Sequence, residues 1–156
     1  MKNNTKLSIN LNAVALLRNR RNLPWPDIIE IARYALRAGA HGITIHPRPD
    51  ERHIKFKDIK IISDFLRDEF KDVSFNIEGY PSDKFLDLAI PYATQITLVP
   101  DTPEQTTSDH GWDIEKHKHI LNDVTKRIKL QKNIIISAFI DLSLIHISEP
   151  TRPERI

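Results

Sequence analysis

Short apolar runs alternate with amphipathic stretches along almost the whole chain, and this alternation is what most narrows the folds open to it. Strands are predicted at residues 7–11 (LSINL), 42–46 (GITIH), 73–78 (VSFNIE), 95–99 (QITLV) and 133–140 (NIIISAFI). Helices are predicted at 26–38, 57–70, 82–90 and 113–132. In the first of these, Ile28, Ile29, Ala32, Ala35 and Leu36 repeat at helical spacing. Pro26 suits its first position, Asp27 its positive N-terminal end and Gly39 its stop. Ser82 is the expected N-cap of the third helix, which Pro91 ends.

Strands that alternate with helices imply parallel pairing and right-handed crossovers. A doubly wound sheet and a TIM (β/α)₈ barrel both satisfy this order. No G-x-G-x-x-G follows the first strand, and the chain has only four glycines, which disfavours the dinucleotide-binding version. The polar residues favour the barrel, where chemistry sits at the ends of strands and in the loops that follow. The first strand runs into Asn10 and Asn12, the second ends at His46 with Arg48 just after, and the third ends at Glu78. The fourth runs into a loop holding Thr106 and Thr107, and the fifth ends at Asp141.

A whole barrel of this kind needs about 250 residues, and at least roughly 200. This chain has 156. The expected fold class is therefore α/β, a TIM (β/α)₈ barrel truncated to about its first five strands. Residues 1–141 form the incomplete barrel domain. Residues 142–156 (LSLIHISEPTRPERI) break the pattern, with Pro150 and Pro153 where a helix should follow. This tail resembles translated adapter or vector sequence, and it is set apart from the fold as anomalous.

The formal charge is +2, nearly balanced, and no long basic run marks a nucleic-acid partner. Arg18, Arg20 and Arg21 form the densest basic spot. It reads either as a solvated loop or as a phosphate site, since Arg presents a planar fork of donors. The chain has no cysteine, which excludes disulfides, thiol catalysis and Cys-based zinc sites. Residues 1–6 lack the apolar stretch of a signal peptide, and no apolar run reaches membrane-span length. A soluble, cytoplasmic protein with no membrane partner is expected.

Five segments, in order, resemble the pyridoxine 5′-phosphate synthase family. They are SINLNAVALLRNRR (residues 8–21), GAHGITIHPRPDERHI (39–54), FNIEGY (75–80), ITLVPDTPEQTTSDHGWD (96–113) and SAFID (137–141). The second is the longest and most specific. The resemblance implies a (β/α)₈ barrel that condenses 3-amino-2-oxopropyl phosphate with 1-deoxy-D-xylulose 5-phosphate. The products are pyridoxine 5′-phosphate, phosphate and water. It implies no redox cofactor and no catalytic metal, and a homo-octamer for the full-length family. Two phosphorylated substrates need cationic donors, and imine formation, dehydration and ring closure need several proton transfers.

By the resemblance, His46 is the proton-acceptor histidine and Glu78 a second acid/base residue. Asn10 binds the amino-ketone phosphate, Arg21 and Arg48 lie near substrate phosphates, and His53 and Thr106 contact substrate. Asn12 occupies a further substrate-binding position, but Asn12 and Ala13 stand where the family often has Asp-His. The family's proton-donor histidine and two glycine-bearing loops lie beyond Asp141, and His146 of the tail does not replace that donor. The 156-residue chain is therefore expected to lack measurable synthase activity.

Two other readings stay open. A metal-dependent barrel hydrolase would use the seven histidines, but Pro47 and Arg48 follow His46 instead of a His-x-His, and His117 and His119 fall on different helix faces. A half-barrel with only a structural or association role would expose strand edges and its unclosed interior.

Overall fold

The computed structural model describes residues 5–21, 23–101, 105, 108–131 and 133–141. The tail from 142 and Thr106 lie outside them. The elements run β1 (Ser8–Asn10), α1 (Asn12–Arg21), α2 (Ile28–Arg37), β2 (Gly42–Ile45), α3 (Phe56–Glu69), β3 (Ser74–Gly79), α4 (Asp83–Ala89), β4 (Gln95–Leu98), α5 (Ile114–Gln131) and β5 (Ile135–Ala138). The five strands form one parallel sheet in the order β1-β2-β3-β4-β5.

Strand alternation gives this sheet two unlike faces. Ile9, Ile43, Ile45, Phe75, Ile77, Ile96 and Leu98 point to the face that the helices cover, and they form its core with Ile59, Ile62 and Leu86. Ile43, Ile45, Ile77 and Ile96 are completely buried, and each such side chain contributes about 1.5–3 kcal/mol relative to exposure. The other face carries Ser8, Thr44, Asn76, Thr97 and Ser137. Ser8 Oγ and Thr44 Oγ1 share a hydrogen bond of 2.8 Å, Thr97 Oγ1 donates to Asn76 Oδ1 at 2.9 Å, and Gln95 Nε2 donates to Ser137 Oγ at 2.9 Å. The buried Thr44, Asn76 and Thr97 of this face are thus all hydrogen-bonded, as burial of polar groups requires.

The helix starts follow their caps. Asp27 accepts the backbone N–H of Ile29 at 2.7 Å and also that of Glu30, which begins α2 at Ile28. Pro26 is therefore one residue ahead of the cap rather than at the first helical position. Gly39, with φ +103°, takes the left-handed turn after the C-cap Ala38. Ser82 accepts the N–H of Phe85 and caps α4.

One element differs from the sequence reading. Residues 12–21, expected as a loop carrying a basic cluster, form helix α1. Only Ala15 of α1 is buried, so no apolar stripe marks it, and its apolar residues run on from the first strand. The basic cluster divides accordingly. Arg18 is neither a solvated cation nor free for phosphate, because its guanidinium grips the buried Asp58 with both nitrogens, at 3.2 and 2.8 Å. Asn19 Nδ2 donates to the carbonyls of Arg52 at 3.2 Å and His53 at 2.7 Å. Helix α1 thereby clamps the loop between β2 and α3.

Candidate active site

The parallel register sets the site. Ile45 of β2 lies opposite Ile77 of β3, so the next residues, His46 and Glu78, come to the same level at the C-terminal end of adjacent strands. Glu78 in turn lies opposite Thr97 of β4. Glu78 falls on the polar face, in line with Asn76 and Thr97, whereas His46 is the first residue past β2. Parallel strands in register are what allow residues 32 positions apart to share one end of the sheet.

Burial moves both groups away from their ordinary charge. Desolvation lowers the pKa of His46 from 6.5 to about 4, helped by His53 and Arg48 and opposed by Asp101 and Asp50. Desolvation, then the negative charge of Asp101, raises Glu78 from 4.5 to about 7. Near neutral pH, His46 is an uncharged imidazole able to accept a proton. Glu78 is poised between acid and base.

Arg48 and Asp101 lie beside this pair, 4 % and 5 % exposed. Arg48 Nη1 donates to Asp101 Oδ2 at 2.9 Å and Nη2 donates to the carbonyl of Gln105, while Nε faces Asp50 at 4.0 Å. Ser108 Oγ also donates to Asp101 Oδ2. Arg48 therefore ties the loop after β2 to the loop after β4. Asp101 was not singled out in the sequence, where the hydroxyls of Thr106 and Thr107 drew the reading of that loop. The available signal was position: Asp101 is the first carboxylate after the fourth strand, at the same sheet end as His46 and Glu78.

The other sequence candidates separate. His53 joins the group: its ring centroid is 6.0 Å from that of His46, and burial followed by Arg48 lowers its pKa. Its Nδ1 accepts the N–H of Ile54 at 2.9 Å. Asn12 joins through its side chain, whose Oδ1 accepts the backbone N–H of His46 at 2.9 Å. Asn10 Oδ1 accepts the N–H of Asn12 at 2.8 Å, turning the chain from β1 into α1. Arg21 is exposed at the end of α1, its guanidinium 5.0 Å above the Trp25 ring, and no described contact brings it to the His46 group. Thr106 lies outside the described residues.

A cavity of about 220 Å³ opens beside His46, Arg48 and Asp101, with Phe56, Tyr80 and Phe85 in its wall. Glu78 does not line it. Gly79 turns toward Phe85, so alternation points Glu78 to the polar face instead. Among the described residues no three His, Asp or Glu side chains converge as a metal site requires, and no helix there is long and apolar enough to cross a membrane.

The family model described as "Pyridoxal phosphate biosynthesis protein PdxJ" matches residues 7–153. Curated relatives named pyridoxine 5′-phosphate synthase are similar to this chain. The one from Allorhizobium ampelinum is 56% identical over 125 residues, which cover 80% of this chain and 50% of the relative. Those from Chelativorans sp. and Rhizobium meliloti are 54% and 52% identical over 137 residues, covering 87% of this chain and 55% and 54% of the relatives. The chain spans about half the length of the curated relatives it matches.

Proposed function

The chain belongs to the family of the pyridoxal phosphate biosynthesis protein PdxJ, and from that premise we propose that it carries the first half of a pyridoxine 5′-phosphate synthase site. The reaction joins 3-amino-2-oxopropyl phosphate to 1-deoxy-D-xylulose 5-phosphate and yields pyridoxine 5′-phosphate, phosphate and water. The observation that carries this reading is the placement of His46 and Glu78 at the same end of adjacent strands, one held neutral and the other poised near pH 7.

Each side chain then has a task. Neutral His46 accepts a proton as the amine of one substrate adds to the carbonyl of the other. Glu78 gives a proton when water leaves and takes one as the ring closes, which a group of pKa about 7 does at little cost in either direction. His53 supplies a donor to substrate oxygens beside His46, and Arg48, whose Nη atoms are held by Asp101 and Gln105, keeps Nε for one such oxygen. Asn10, Asn12, Arg21 and Thr106 are assigned to substrate binding by the family pattern. No redox cofactor or metal enters these steps.

The same proposal includes a closed (β/α)₈ barrel. Strands that pair strictly in chain order, with every crossover of one hand, put all helices on one face, whereas a doubly wound sheet reverses its order and covers both. The hydrogen-bonded polar face is then the barrel interior. Among the described residues β5 pairs only with β4, and Ile135, on the polar face opposite Gln95, is 65% exposed. A homo-octameric assembly for the full-length family and a cytoplasmic setting belong to the proposal too.

A chimaera tests it. Residues 7–141 are joined to the remaining half of the Rhizobium meliloti relative, and both substrates are supplied. Pyridoxine 5′-phosphate is expected, and it should fall at least about 100-fold in His46→Gln and Glu78→Gln versions. A folded chimaera that forms no product would contradict the reading.

A further inference from the structure

We propose that Asp101 is a positioning residue of this site, anchoring the Arg48 guanidinium from the loop after β4 and presenting the negative charge that both His46 and Glu78 face. The inference rests on the synthase reading for its chemical purpose, but its geometry stands independently.

Three observations carry it. Asp101 is nearly fully buried, yet it lies only three residues past the end of β4 at the functional end of the sheet. Its Oδ2 receives both Arg48 Nη1 and Ser108 Oγ, while its Oδ1 has no hydrogen-bond partner among the described residues. It is also the one carboxylate that acts on both members of the proton-transfer pair.

A buried ion pair is weak as a device for stability, because desolvating two charges offsets much of their attraction. It is strong as a device for orientation. The Arg48 fork cannot rotate without abandoning Asp101 or the Gln105 carbonyl. Lysine, a single point charge, would not hold two acceptors in a fixed plane. With Asp101 in place, the positive charge of Arg48 is balanced beside His46. The groups acting on His46 are then Asp101, His53, Arg48 and Asp50, and the charged group acting on Glu78 is Asp101. Replacing Asp101 by a neutral residue removes a charge that favours protonation of both.

The test is carbon-13 and proton NMR on the full 156-residue chain. In Asp101→Asn, the titration midpoint of the Glu78 carboxyl is expected to fall below about 7 while staying above the ordinary carboxylate range, because burial, the larger cause, remains, and Asp101→Glu should restore it. A purely structural role would leave the Glu78 midpoint where it was, and that result would overturn the proposal. A second measurement needs no variant. In the parent chain the Arg48 Nη protons, held by Asp101 and Gln105, should exchange slowly and appear as resolved signals. A single averaged guanidinium signal, as from an exposed arginine, would overturn the proposal even if Asp101→Asn failed to fold. Adding 1-deoxy-D-xylulose 5-phosphate to the parent separates the two claims. Resolved Arg48 signals that do not respond to the sugar phosphate would count against the synthase reading and leave the Asp101–Arg48 arrangement intact.

Discussion

The Oδ1 of Asn12 accepts the backbone N–H of His46 at 2.9 Å, so the first residue of α1 fixes the strand end that carries the candidate base. An amide does this without adding a charge beside the imidazole. Asn12→Ala leaves the His46 N–H without that acceptor and is expected to cost about 1–3 kcal/mol in urea unfolding. Asn12→Asp keeps the hydrogen bond but brings a carboxylate, and the His46 midpoint should rise from about 4. An unchanged midpoint in Asn12→Asp would mean that the residue acts on the backbone alone.

The opposed pKa shifts of His46 and Glu78 have a signature in stability. A depressed His46 stabilises the fold above pH 6.5, and this is lost as pH falls toward about 4. A raised Glu78 stabilises it below pH 4.5, and this is lost as pH rises through about 7. Relative to the parent, Glu78→Gln should therefore gain stability as pH rises from 4.5 to 7, with a slope of at most about 1.4 kcal/mol per pH unit. His46→Gln should show the opposite slope between about 4 and 6.5. Denaturant unfolding at a series of pH values reads both, and parallel curves for parent and variants would refute the shifts.

Arg18 holds Asp58 with two hydrogen bonds, and Asp58, only 2 % exposed, also accepts the N–H of Lys55 to start α3. Arg18→Met removes the cation and strands the carboxylate. The expected loss is about 3–5 kcal/mol. The double variant Arg18→Met/Asp58→Asn should recover part of it, and chemical denaturation of the two measures the difference. A loss under about 1 kcal/mol would put the pair among ordinary surface bridges.

Gly79 has no room for a side chain. A Cβ there would lie 2.4 Å from the ring of Phe85, a buried residue of α4. Gly79→Ala is expected to destabilise by about 1–3 kcal/mol through overpacking. The shift at residue 79 should carry to Glu78 next door. Gly79→Ala/Phe85→Leu should relieve the clash, and thermal unfolding of the single and double variants checks this.

Much of this architecture was legible from two periodicities. Ile43 and Ile45, Phe75 and Ile77, and Ile96 and Leu98 alternate with Thr44, Asn76 and Thr97, so strand identity and the buried face follow from apolar spacing alone. The polar half of the same alternation, Thr44, Asn76 and Thr97, carries the hydrogen-bonded face, which the strand-end residues alone do not announce. Asp27, Gly39 and Ser82 marked helix ends because each satisfies a local backbone need. Helix α1 was hidden, since Val14, Leu16 and Leu17 follow the first strand without a gap and only Ala15 is buried. Partners across long sequence distances were also hidden. Nothing local in residues 18 and 58, or 48 and 101, announces that they meet; only the parallel order of the strands brings them together.

The most direct test of the His46–Glu78 pair is one pH titration of the unmodified chain by NMR, following the Glu78 carboxyl carbon and the His46 ring together. Midpoints near 7 for Glu78 and near 4 for His46 are expected, the inverse of their usual order. A Glu78 midpoint near 4.5 with a His46 midpoint near 6.5 would show two solvated groups and contradict a proton-transfer site at this end of the sheet.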